Sequence, residues 1–126
     1  MPLPPMPHRH LIVLRSAVTI ALSCLIAQAG WASAFLGGEA QYRAFHAIGA
    51  WVSLSVCVIN AAVYVVLRRS AGPVNLTLAL LLAAMAGVQV VLGEAHIVAP
   101  HIFVGILTLM LATALTSWTY RHRLAG

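Results

Sequence analysis

Gln89-Val90-Val91-Leu92-Gly93-Glu94-Ala95-His96-Ile97-Val98-Ala99-Pro100-His101-Ile102-Phe103-Val104-Gly105 joins two apolar segments, each long enough to cross a membrane. It holds two of the six histidines and one of the two acidic residues. Part of it occurs twice. Gly38-Glu39-Ala40 is followed by Ala44 and His46, and Gly93-Glu94-Ala95 by Ala99 and His101. In each copy a histidine stands seven residues after the glutamate, and an apolar run follows. The pattern reads as two half-sites at the mouths of two membrane helices.

Composition sets the solvent. The 126 residues are 62% hydrophobic and 7% charged, with a mean hydropathy of +0.97. A soluble domain carries about 25% charged residues, so this chain cannot cover a water-facing surface. Its length allows one domain, residues 1–126. Four spans of about 20 apolar residues fit: Leu11 to Leu36, Phe45 to Leu67, Val74 to Leu92 and His101 to Tyr120. Met1 to His10 is rich in proline and predicts a mobile tail. Arg9 and Arg15, an apolar run and Ala32-Ser33-Ala34 resemble a secretory signal. The run, at about 20 residues, exceeds a signal core of about 7–15, which favours a retained helix.

The basic residues are all arginine: Arg9, Arg15, Arg43, Arg68, Arg69, Arg121 and Arg123. They bracket the apolar segments and form no aromatic-interleaved stripe, so the net charge of +5 does not indicate nucleic acid. The positive-inside rule places the N-terminus, Arg68 to Pro73 and Arg121 to Arg123 in the cytoplasm. Leu36 to Arg43 and Gly93 to Pro100, which carry both glutamates, then lie outside the inner (plasma) membrane. Short connections predict an all-α, up-down-up-down antiparallel four-helix bundle. Cys24 and Cys57 lie mid-span with no C-x-x-C and read as packing residues.

Polar and small residues fall on narrow stripes. In the second span these are His46, Gly49, Ser53, Cys57, Asn60 and Tyr64; in the fourth, His101, Gly105, Thr108 and Ala112. The third offers Ala86, Gln89 and Gly93, and the first Ala21, Cys24, Gln28 and Trp31. Such stripes face a bundle interior in lipid. His46 and His101 begin helices that start on the same side, so they sit at matched depth on diagonal helices. Two neutral imidazoles facing across an axis suit the axial ligation of heme iron. Gly49, Ala50, Ala86, Gly93 and Gly105 would leave space beside it. A bare ion would need His96 and Glu94 to fold inward and join the pair. Gln28 and Gln89 are open to an interhelical hydrogen bond or a cofactor contact. Arg43 is open to headgroup snorkelling or a heme propionate. The set Trp31, Trp51, Trp118, Tyr42 and Tyr120 reads as interfacial anchoring.

Gln89-x-x-Leu92-Gly93, with His101 opening the next helix, resembles the heme A synthase family; Tyr42-x-x-x-His46-x-x-Gly49 is similar to that family's other histidine motif. The resemblance spans one four-helix half of a two-half protein. It also extends to small four-helix bis-histidine b-type membrane cytochromes. It implies a heme held by His46 and His101 as axial ligands. From the residues themselves this is read as heme b, with Arg43, Gln89, Gly49 and Gly105 as candidates around it. The family's substrate half has a glutamate shortly before a ligand histidine, whereas Arg43 and Val98 stand three residues before His46 and His101 here. The resemblance therefore carries over the ligands and not the oxidation of the heme. The expected activity is one-electron transfer with a quinol or an extracytoplasmic redox protein. The alternatives are heme binding, sensing or delivery without turnover, and a cofactor-free structural subunit. A homo-oligomer is compatible with any of the three.

Overall fold

The computed structural model describes residue 1 and residues 6–124, and the proline-rich start falls partly on residues 2–5, outside the described residues. The described residues form five helices and no strand: α1 (Arg9–Leu36), α2 (Tyr42–Val66), the short α3 (Arg68–Ala71), α4 (Pro73–Glu94) and α5 (Val98–Arg121). The four long ones have 22 to 28 residues, or about 33 to 42 Å at 1.5 Å per residue. Each is long and apolar enough to cross a membrane. Helices suit this solvent because lipid offers no partner for an unpaired backbone amide or carbonyl. Hydroxyls follow the same constraint: Ser23, Ser33, Ser55, Thr113 and Thr116 each donate to the carbonyl four residues back.

The helices start earlier than hydropathy alone indicates. α2 begins at Tyr42 and α5 at Val98, so His46 and His101 lie about one turn inside their helices instead of opening them. Pro100 sits in the first turn of α5, where its missing N–H removes no helical bond. Gly93 and Glu94 belong to α4, which leaves only Ala95 to Ile97 as the connection. Between α2 and α4, Gly72 takes φ +79° ahead of Pro73 at the first turn of α4, a sharp re-entry that favours glycine.

Around the bundle the order is α1, α2, α4, α5, each packing on its two neighbours, which leaves α2 and α5 on a diagonal. Cross-helix bonds show which ends meet. The Tyr64 hydroxyl lies 2.6 Å from that of Thr119 and 3.4 Å from the Leu14 carbonyl it donates to. Thr19 pairs with Tyr120 at 3.0 Å, and Arg15 donates to the Tyr120 carbonyl at 3.1 Å. The start of α1 and the ends of α2 and α5 therefore share one end of the bundle. At the opposite end His46 reaches Gln28 and His101 reaches Gln89. The chain thus reverses direction between successive long helices.

The core follows the predicted stripes on α2 and α5; of those on α1 and α4, Ala21 and Ala86 are buried while Gly93 is exposed. Gly49, Ser53, Cys57, Asn60 and Tyr64 are buried along α2, and Thr108 and Ala112 along α5. Val18, Ala21, Ala79, Leu82, Ala112 and Leu115 complete the interior. Side chains such as Ile48, Ile59, Val91 and Phe103 stay exposed on the outer faces. Lipid chains are as apolar as leucine, so burying leucine yields little here; close contact between small side chains holds the helices together instead.

Candidate functional site

The site is built twice, once from each pair of sequential helices. On α2, the His46 ring donates from Nδ1 to the Gln28 carbonyl of α1 at 3.1 Å. On α5, the His101 ring donates from Nδ1 to the Gln89 carbonyl of α4 at 3.1 Å. A carbonyl only accepts, so both imidazoles carry their proton on Nδ1 and leave Nε2 with a free lone pair. Backbone carbonyls of this kind set tautomer and ring direction in metal-ligating histidines.

The two rings then meet across the bundle. Their centroids are 6.0 Å apart and their planes stand at 86°. An iron between two imidazoles separates the ring centres by about 6 Å, given metal–nitrogen bonds of about 2.0 Å. An edge-to-face aromatic pair has a similar spacing. The matched Nδ1 bonds are what set this pair apart from ordinary ring contact, because they fix both rings in the same orientation toward the preceding helix.

Both histidines line a cavity of about 290 Å³. Ala50, Ala86 and Gly105 lie in its wall, as small residues leaving space. Gly49 and Gly93 do something else. A methyl group on Gly49 would run into the Gln28 amide and the Trp31 ring, and one on Gly93 would come within 3.3 Å of the His101 ring. These glycines permit close approach: Gly49 seats Trp31 and Gln28, and Gly93 seats the His101 ring. Gly105 plays both parts, since a methyl there would lie 3.3 Å from Gln89 Oε1.

The glutamines differ from one another. Gln89 donates from Nε2 to the His101 carbonyl at 3.0 Å, so it holds its histidine by backbone and side chain together. Gln28 Nε2 is buried without a hydrogen-bond partner, and Gln28 lines the cavity. Ser53 and Thr108, buried on α2 and α5, line the cavity as well.

Arg43 is exposed and forms no part of the cavity wall. His96 sits in the connection with φ +56°, exposed, its Nδ1 donating to the Glu94 carbonyl at 2.8 Å. Among the described residues no three of His, Cys, Asp and Glu converge on a point that could hold an ion. The bare-ion arrangement with His96 and Glu94 is therefore not assembled, because the loop turns His96 back on its own backbone. The repeated Gly-Glu-Ala frame also takes two conformations: Gly38 has φ +109° in a turn, while Gly93 is helical. What the halves share is the carbonyl-to-histidine bond.

Sequence reading gave no role to His10 and His122, yet both bond to Ser70. His10 Nδ1 meets its hydroxyl and His122 donates to its carbonyl, each at 2.8 Å. They tie both tail-proximal segments to the α2–α4 connection. No motif signals this, since the three positions are distant in the chain. Comparison with protein families, characterised proteins and solved structures finds no match for this chain.

Proposed function

We propose that this protein is a small b-type membrane cytochrome that binds one heme b between His46 and His101. The observation that carries the reading is the matched pair of Nδ1–H···O=C bonds, which leaves two Nε2 lone pairs on rings 6.0 Å apart in a cavity. A bis-imidazole heme supplies one-electron chemistry and keeps no coordination position for a substrate. The chain's own contribution is orientation and exclusion of water. Gln28 and Gln89 carbonyls hold the rings, and Ala50, Ala86 and Gly105 make room for a planar ligand.

The site lies at one end of the spans, so a single heme there cannot relay an electron across about 30 Å of hydrocarbon. The partner is then a quinol in the membrane or a redox protein on the histidine side. Arg9, Arg15, Arg68, Arg69, Arg121 and Arg123 gather at the opposite end, with Glu39, Glu94 and Arg43 at the histidine end. That asymmetry supports a plasma-membrane orientation with both termini cytoplasmic. A second reading, heme binding and delivery without turnover, is favoured by the incomplete enclosure of the cavity. A porphyrin exceeds about 290 Å³ and would leave an edge uncovered.

The test is an absorption spectrum of detergent-purified protein made with heme supplied, oxidised and then dithionite-reduced. A sharp Soret band with split α and β bands on reduction is expected. A protein that stays colourless after hemin addition overturns both readings.

A further inference from the structure

The cavity has a direction. Its floor is buried and comes from α2, α4 and the inner part of α5: Ser53, Ala86, Val90 and Thr108 are 5%, 4%, 8% and 2% exposed. Its exposed wall residues lie on α1 and α5, among them Leu36 at 65%, Ile102 at 47% and Ile106 at 56%, with Ala29 and Ser33 also exposed. No residue of the connections Gly37 to Gln41 and Ala95 to Ile97 forms part of the wall. An opening onto water through that end would have those loops as its rim. At the other end α1 and α5 are drawn together by Arg15 and Thr19 on Tyr120. At the histidine end no hydrogen bond joins α1 to α5 among the described residues.

The rim is also apolar in character. The Ser33 hydroxyl donates to the Ala29 carbonyl at 2.8 Å, so even its polar atom is engaged within α1. No Arg, Asp or Glu lines the cavity. A gap of this kind between two membrane helices faces acyl chains, and a charged or fully hydrated ligand would pay desolvation to cross it.

We propose that the histidine cavity is loaded sideways from the bilayer, through the gap between α1 and α5, by a planar amphiphilic macrocycle already dissolved in the lipid. The inference rests on the heme reading above and adds the route. Ala29 of α1 and Ile106 of α5 are exposed wall residues on the two helices that would flank this route. Gln28 lies behind the rim in the cavity wall, its amide nitrogen packed against Gly49. The uncovered edge of the bound ligand then faces lipid, which makes exchange with the bilayer direct.

The experiment uses the full chain, made without heme supply and reconstituted in phosphatidylcholine vesicles. Donor vesicles of the same lipid carrying hemin are added, and the growth of the Soret band is followed; unloading into empty vesicles is followed in reverse. Ala29→Trp and Ile106→Trp, which narrow the gap, are expected to slow loading and unloading together by about tenfold or more. Ile106→Ala, which widens it, is expected to speed both. Val58→Trp, on the exposed face of α2, is expected to match the wild type. Wild-type rates in both tryptophan variants, or equal slowing by Val58→Trp, would overturn the lateral route while the heme reading stands. An absent Soret band in the unmodified protein would overturn the heme reading, and the route with it.

Discussion

His46 and His101 share a feature that composition does not show: each spends its Nδ1 proton on the backbone of the preceding long helix. The acceptors are main-chain carbonyls, so no side-chain replacement at Gln28 or Gln89 deletes them. The ligand role is tested on the rings. His46→Ala and His101→Ala should each abolish the low-spin spectrum of the heme-supplied protein, and His96→Ala should leave it intact. A requirement for His96 without one for His46 would refute the paired-ligand site. At the far end, Tyr64 is fully buried and bonded to Thr119 at 2.6 Å. Tyr64→Phe strands a buried hydroxyl and should cost about 1–2 kcal/mol in stability. Thermal unfolding in detergent measures it, and the Soret position should not move, because the bond lies away from the histidines.

At the scale of the helix, the glycines decide how closely partners approach. Gly49 admits Trp31 and Gln28 of α1 against α2, and a methyl group there meets a rigid indole ring. Gly49→Ala should destabilise the α1–α2 pair by about 1–3 kcal/mol, the usual cost of overpacking, read as a lowered unfolding midpoint. An unchanged midpoint would mean that Trp31 moves aside freely. Gly93→Ala is a milder change, since its methyl would only press on the His101 ring at 3.3 Å. Its expected mark is a shift in the heme spectrum rather than a loss of fold. The small-residue stripes were legible because helical spacing is regular. Their division into space-leaving and contact-making glycines was not, because it depends on which side chain of another helix arrives there.

For the molecule as a whole, the arginines give the bundle a polarity that the apolar spans lack. A reporter enzyme fused after Gly126 should read cytoplasmic in intact cells; a reading on the opposite side would invert the proposed orientation. The same polarity divides labour between the ends. The arginine end is closed by the bonds of Tyr64 to Leu14 and Thr119, by that of Thr19 to Tyr120, and by His10 and His122 on Ser70. The histidine end is held by three bonds to carbonyls and opens toward its cavity.

The sequence by itself determined the solvent, the four spans, the buried stripes and the pairing of His46 with His101. Each follows from hydropathy, helical period and charge, which are properties of neighbouring residues along one chain. The repeated Gly-Glu-Ala frame pointed to two histidines whose rings meet across the bundle, although its two glycines fold differently. Only the tertiary structure decided the tautomers, the unequal glutamines, the exclusion of His96 and Arg43 from the cavity wall, and the open side between α1 and α5. Those depend on helix rotation and separation, which pairwise packing of distant segments sets and which no local pattern encodes.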